Sequence, residues 1–228
     1  MKKSILFILV VFLVFCSSCR REPQPNDEVE NGGLYSNNEI VAQNIENDND
    51  KIDKVIAIIL DYYNDCNDDY DWYIVASCKY ENHGFNMKLP SRLHAKYLEE
   101  YFNEQMMSDP RAKCAMIEYF IALDIDGEDI GEFEFKGDSI DEESMYIYAD
   151  RNFTLRGHDS YSGSSYEDHY IYDCHFKKGW NLVYQYLTRS RRDSIFIYTQ
   201  TTTTQKPLDI NYKWHFYSYD NEKRKLNN

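Results

Sequence analysis

The chain has no long hydrophobic run. Its longest, "ILFILVVFLVF" from Ile5 to Phe15, rises only about 16 Å as a helix, whereas a hydrocarbon core of about 30 Å takes roughly 20 residues to cross. That stretch is therefore too short for a comfortable transmembrane anchor. Positive charge is also scarce, with 25 Lys and Arg against 39 Asp and Glu and a formal net charge of −14. Nucleic acid and anionic lipid surfaces are thus not expected as partners, because both demand basic patches. Catalytic signatures are missing as well: there is no G-x-S-x-G elbow, H-E-x-x-H, P-loop or dinucleotide fingerprint. The six histidines, His83, His94, His158, His169, His175 and His215, lack metal-ligand spacing. His169 and His175 share a strand face but stand about 20 Å apart along it. Cys66, Cys78, Cys114 and Cys174 are too widely and irregularly spaced for a zinc ribbon or knuckle. No cofactor is expected, and an enzyme, for example an envelope hydrolase, is the least supported class.

What is present begins with an address. Lys2 and Lys3, the apolar run, and small Ser17 and Ser18 before Cys19 have the order of an export signal. "CSSC" at 16–19 resembles a bacterial lipobox, in which the cysteine after the cut carries the lipid. Cys19 is the expected attachment site, since bulky Phe15 would occupy the small-residue slot before Cys16. Diacyl plus N-acyl (palmitate-type) chains bind a bilayer far more firmly than the single chain that anchors only marginally. Arg20 next to Cys19 makes the outer membrane the expected location, on either its periplasmic or its surface face.

Four segments follow from composition. Residues 1–18 read as a lipoprotein signal peptide, and 19–52 as the lipidated cysteine with a disordered acidic, Asn-rich tether too poor in apolar groups to offset ordering. Residues 53–220 read as one domain with a core of ordinary size, and 221–228 as a disordered tail. Within the domain Cys66, Cys78, Cys114 and Cys174 form an even set that permits disulfides. Cys78, in phase with Trp72, Ile74 and Ala76, and Cys174, in phase with Tyr170, Tyr172 and Phe176, also fit small buried free thiols.

Alternation dominates from residue 53 onward. "KVIAIILDYY" (54–63) and "WYIVASCKY" (72–80) are strand-like runs around the acidic loop "NDCNDDYD". "GFNMKLP" (84–90) places Phe85, Met87 and Leu89 on one face. Asp126-Gly127 supplies the positive dihedrals of a tight hairpin turn, and Phe133 and Phe135 alternate with Glu132 and Glu134. "GHDSYSGSS" (157–165) reads as a polar loop, and "LTRSRRDS" (187–194) as a basic insertion. One amphipathic helix is predicted over 91–106, "SRLHAKYLEEYFNEQM", capped by Ser91. The fold class expected is all-β: an antiparallel β-sandwich of about nine or ten strands with one short crossing helix.

Two constellations offer chemistry. Asp61, Asp65, Asp68, Asp69 and Asp71 crowd one loop with hard oxygen ligands suited to calcium, with Asp65, Asp68, Asp69 and Asp71 as candidates, although the EF-hand's Gly and distal Glu are absent. Tyrosine is abundant, 21 of 228 residues, and Tyr146, Tyr148, Tyr170, Tyr172, Tyr184 and Tyr186 sit where rings could form a sugar-stacking platform. The alternative is that these rings fill the sandwich core with their hydroxyls at its edge.

The stretches "CKYENHGFNMKLP", "DIDGEDIGEFEFKG", "MYIYADRNFTLRG" and "YDCHFKKGWNLVYQYL" together resemble a group of exported Bacteroidota (Bacteroides-type) lipoproteins, over roughly residues 54–217. The resemblance implies a membrane-anchored protein with a transthyretin-like or immunoglobulin-like sandwich, and it brings no catalytic residues. Gly179 is expected to make a tight corner and Trp180 to plug the core. The function expected is that of a non-catalytic binding or structural module of the cell envelope, tethered to the bilayer through Cys19. The alternative is a glycan-binding accessory protein, which would need solvent-facing aromatics on one sheet; an envelope protein is the other candidate partner.

Overall fold

The computed structural model describes residues 38–61 and 71–219. Among them thirteen strands form: β1 (Glu39–Ala42), β2 (Lys54–Asp61), β3 (Asp71–Glu81), β4 (Gly84–Lys88), β5 (Cys114–Met116), β6 (Tyr119–Leu123), β7 (Asp129–Lys136), β8 (Glu142–Ala149), β9 (Phe153–Ser162), β10 (Tyr166–Phe176), β11 (Gly179–Arg192), β12 (Ile195–Thr203) and β13 (Lys213–Ser218). They make a seven-stranded sheet in the order β1-β4-β3-β2-β6-β7-β13 and a six-stranded sheet in the order β5-β8-β11-β12-β10-β9. The all-β sandwich class holds, with more strands than the nine or ten expected. The pairing is antiparallel except between β10 and β12, which run parallel.

β2, "KVIAIILD", is apolar without alternation because both its faces are covered. Val55 and Ala57 point into the main core, while Ile56 and Ile58 pack with Ile121 and Leu123 on the other side of the sheet. The main core is aromatic: Phe85 meets Phe120, Phe133 and Trp214 at ring-centroid distances of 6.4, 5.5 and 5.1 Å. Tyr146, Trp180 and Leu182 of the six-stranded sheet close it from the opposite side. A second core lies on the far face of that sheet, where Ile147, Leu155, Cys174 and Val183 pack beneath Phe102, Met106 and Met107.

The seven-stranded sheet curls until its edges meet. Beyond β1 the chain crosses to β13, where the Glu46 N–H donates to the Trp214 carbonyl and the Phe216 N–H to the Glu46 carbonyl, both at 2.9 Å. The ordered fold therefore begins well before residue 53: Ile40, Ala42, Ile45 and Ile52 are buried in the main core. The reading of 19–52 as wholly tether is corrected for residues 39–52, whose apolar side chains other than exposed Val41 find core positions.

The helix predicted for 91–106 does not form. The segment carries two single 3-10 turns, Ala95–Tyr97 and Glu104–Met106, capped by His94 and Asn103. Between them the Glu99 N–H donates to the Cys114 carbonyl and the Cys114 N–H to the Glu99 carbonyl, at 2.8 and 2.9 Å. Strand-like pairing thus takes the groups a helix would use, and an isolated helix of this length is marginal without tertiary support. The unwound chain carries Phe102, Met106 and Met107 across the second core.

Local expectations fare variously. Phe85, Met87 and Leu89 are all buried. The β6–β7 hairpin forms, with Gly127 at positive φ (+82°) in its turn and Asp126 in ordinary backbone space. The Gly127 N–H donates to the Asp124 carbonyl, a turn that needs a glycine at one position rather than two. Gly179 begins β11 in the left-handed region, and Trp180 donates its indole N–H to the Pro90 carbonyl at 2.9 Å. β10 and β11 flank that corner without pairing, because β12 lies between them. The shared phase of Trp72, Ile74, Ala76 and Cys78 is broken by a bulge: Ala57 opposes Ala76 and Ile58 opposes Ile74, leaving Val75 extra. Trp72 and Ile74 consequently lie exposed, while Ala76 and Cys78 pack inward.

Candidate functional site

The six-stranded sheet is buried on both faces at one end only. Toward the other end β9, β10, β12 and β11 continue as an arm, where residues 158–166 and 188–194 are all exposed. "GHDSYSGSS" is thus an arm of the β9–β10 hairpin rather than a loop. "LTRSRRDS" continues β11 into a turn at Asp193, which has φ of +57°. Aromatic, β-branched and threonine side chains give these strands their pleated form.

Register assigns the arm's two faces. Cys174 and Leu155, opposite each other, point into the second core, and the same side of the sheet further out carries Tyr170, Asp168 and Tyr166 on β10. Across it stand Asp159 and Tyr161 on β9, Phe196 and Tyr198 on β12, and Arg189 and Arg191 on β11. Tyr161 is 71% exposed, Phe196 46% and Tyr166 40%, while Tyr170 and Tyr198 are half-buried. The Arg191 guanidinium lies 5.1 Å from the centre of the Phe196 ring, and Arg189 is braced by a two-nitrogen pairing with Asp141. Aromatic rings with acids, an amide (Gln200) and guanidinium groups between them make one surface on a four-stranded floor.

The opposite face of the arm is mostly polar, with Ile171, Ile195 and Ile197 among its residues. Arg156 donates to Asp173 at 2.9 Å, with His175 beside them. Further out His158 and His169 meet ring to ring, and His169 borders Glu167, which Arg192 holds at 2.9 Å.

The six tyrosines singled out from sequence do not share a face. Tyr146, Tyr148 and Tyr184 are buried in the main core or against Trp180 and Tyr212. Tyr172 packs on the second core, Tyr170 belongs to the aromatic face, and Tyr186, opposite Thr201, faces the polar side. Tyr161 was missed because a polar Gly/Ser stretch reads as loop, whereas Tyr166 and Phe196 lie in strand-like runs whose covered and open faces the sequence does not distinguish. Cys19, Cys66, Asp65, Asp68 and Asp69 lie outside the described residues, and Asp71 enters only as the first backbone position of β3.

Cys78, Cys114 and Cys174 are free thiols. Burial pushes Cys78 up to about 11 and Cys114 and Cys174 up to about 12, so all three stay protonated and unreactive near neutrality. A shallow cleft of about 240 Å³ lies beside Cys114, lined by Ile59, Leu60, Tyr97, Tyr101 and Met116. Glu99 and Glu118 also line it. Among the described residues no group of three or more His, Cys, Asp or Glu side chains is arranged to hold a metal ion, and no helix is long and apolar enough to cross a membrane. Compared with known protein families, curated proteins and solved structures, the chain matches none.

Proposed function

We propose that the protein is a non-catalytic binding module of the cell envelope, tethered to the outer membrane by lipid on Cys19, and that it takes a saccharide chain on the aromatic face of its arm. The observation that supports this reading is the exposure of Tyr161, Tyr166 and Phe196 on one side of a protruding sheet. Exposed contiguous apolar patches mark interaction sites, and these rings are not needed by either core. The apolar faces of sugar rings stack on aromatics, while Asp159, Asp168, Gln200 and Arg191 supply the donors and acceptors that hydroxyl groups need. The lipid tether rests on the lipobox resemblance and the short apolar run that precedes it.

Affinity electrophoresis through gels containing soluble polysaccharides, neutral and acidic, tests the reading. Retardation by at least one polysaccharide is expected, with binding reduced tenfold or more in Tyr161→Ala combined with Phe196→Ala. Both positions are exposed, so the far-UV spectrum and melting temperature should stay as in the wild type. Absence of retardation across neutral and acidic polysaccharides, or equal retardation of the double variant, overturns it.

A further inference from the structure

The other face of the arm carries a pair of histidines that strand pairing creates. His158 on β9 opposes Ile171, and His169 on β10 opposes Ser160, so the two histidines are diagonal neighbours on one face. His158 Nε2 and His169 Nδ1 stand 3.1 Å apart, and the rings are tilted by only 17° with centroids 5.3 Å apart. This is an edge-to-edge arrangement, with the nitrogens facing one another rather than the ring faces stacking. One nitrogen donates a proton to the lone pair of the other.

Glu167 and Arg192 select which. The Glu167 Oε2 lies 3.5 Å from His169 Nε2, and the Arg192 guanidinium holds the Glu167 carboxylate at 2.9 Å. A carboxylate beside Nε2 favours the proton there, which leaves Nδ1 of His169 with a free lone pair directed at His158. A carboxylate behind a histidine whose second nitrogen is a ligand is the usual outer shell of imidazole metal sites, where it fixes tautomer and ring orientation.

We infer that His158 and His169 form a two-imidazole binding site for a divalent transition metal of the zinc class, with Glu167 as the residue that positions His169. Two imidazole nitrogens of a tetrahedral zinc site, with bonds of about 2.0–2.1 Å, stand about 3.3–3.4 Å apart, so the pair opens by about 0.2–0.3 Å and each ring turns to swing its lone pair off the line between the two nitrogens and onto the ion. On binding, the Nε2 proton of His158 is exchanged for one on Nδ1 of the same ring. The neutral pair therefore loses no net proton, and the ion takes both lone pairs. The remaining coordination positions face solvent, open to water or to a donor group of another molecule. The net charge of −14 raises the local concentration of cations. This inference uses the face opposite the aromatic one and stands independently of the saccharide reading.

Titration of the full-length protein in detergent with Zn²⁺, followed by long-range ¹H–¹⁵N spectra of the histidine rings, tests it. Expected are shifts confined to the His158 and His169 rings and one ion bound per chain. Affinity should fall at least tenfold in His158→Ala, His158→Gln and His169→Ala, and about tenfold in Glu167→Gln, while His175→Ala binds as the wild type. No response to Zn²⁺, shifts confined to other histidines, or equal binding by the His158 and His169 variants would overturn the site. Wild-type affinity in Glu167→Gln would remove the positioning role of Glu167.

Discussion

Asp129 begins β7 opposite Leu123, and burial pushes its carboxyl up to about 6, with Glu132 adding to the rise and the Gly131 N–H opposing it. A carboxyl whose folded pKa lies above its unfolded value contributes stability at low pH that is lost as pH rises through the folded value. Asp129→Asn keeps the acceptor for the Gly131 N–H and removes the ionisation. The variant should therefore be more stable than the wild type above pH about 6, with the gain vanishing below the ordinary carboxylate range. Urea midpoints measured on both sides of that window check it, and a gain that grows on acidification would contradict the burial assignment. Residue-level chemistry of this kind was invisible in "DIDGED" (124–129), where nothing marks Asp129 as the buried acid.

At the scale of elements, β1 is held by the absence of a side chain on β4. A Cβ on Gly84 would collide with the carbonyl oxygen of Ala42, on the strand paired antiparallel to β4. Gly84→Ala should destabilise by about 1–3 kcal/mol, as overpacking does, and the loss should appear as a lower urea midpoint at unchanged slope. Unchanged stability would mean that β1 yields at little cost. The expected helix at 91–106 fails at this same scale. Its helical spacing of Leu93, Tyr97, Leu98, Tyr101 and Phe102 is real in the sequence, but Tyr97 meets Tyr73 at 4.5 Å while Phe102 meets Phe176 at 5.4 Å. One straight helix would have to serve the seven-stranded sheet and the second core at once, and an extended segment with two tight turns reaches both.

For the whole molecule, location and binding surface are separate questions with separate tests. Labelled palmitate should be incorporated by the wild type, and Cys19→Ala should lose both label and membrane association. Protease shaving of intact cells then distinguishes a surface-facing from a periplasm-facing protein. Retained acylation or membrane association in Cys19→Ala would remove the lipobox reading while leaving the aromatic face to be judged by its own binding experiment.

The sequence by itself determined the strand-rich class, the positions of most strands, and the inward set Phe85, Met87, Leu89 and Phe133. These follow from alternation and β-branched content, which are local properties of the chain. It also carried the acidic balance, which depends on composition alone, and a segment that resembles an export and lipidation signal. Only the tertiary structure decided that Ile40 and Ile45 belong to the core, that Tyr146 and Tyr184 are buried while Tyr161 and Phe196 are not, and that His158 meets His169. A tyrosine on a strand is equally suited to a core edge and to solvent, because its ring is apolar and its hydroxyl polar. Which role it takes depends on where the opposing sheet ends, and β9 to β12 extend past that limit while β8 does not. The histidine pair depends in the same way on the register of one hairpin, since a one-residue slip sends alternate side chains to the other face.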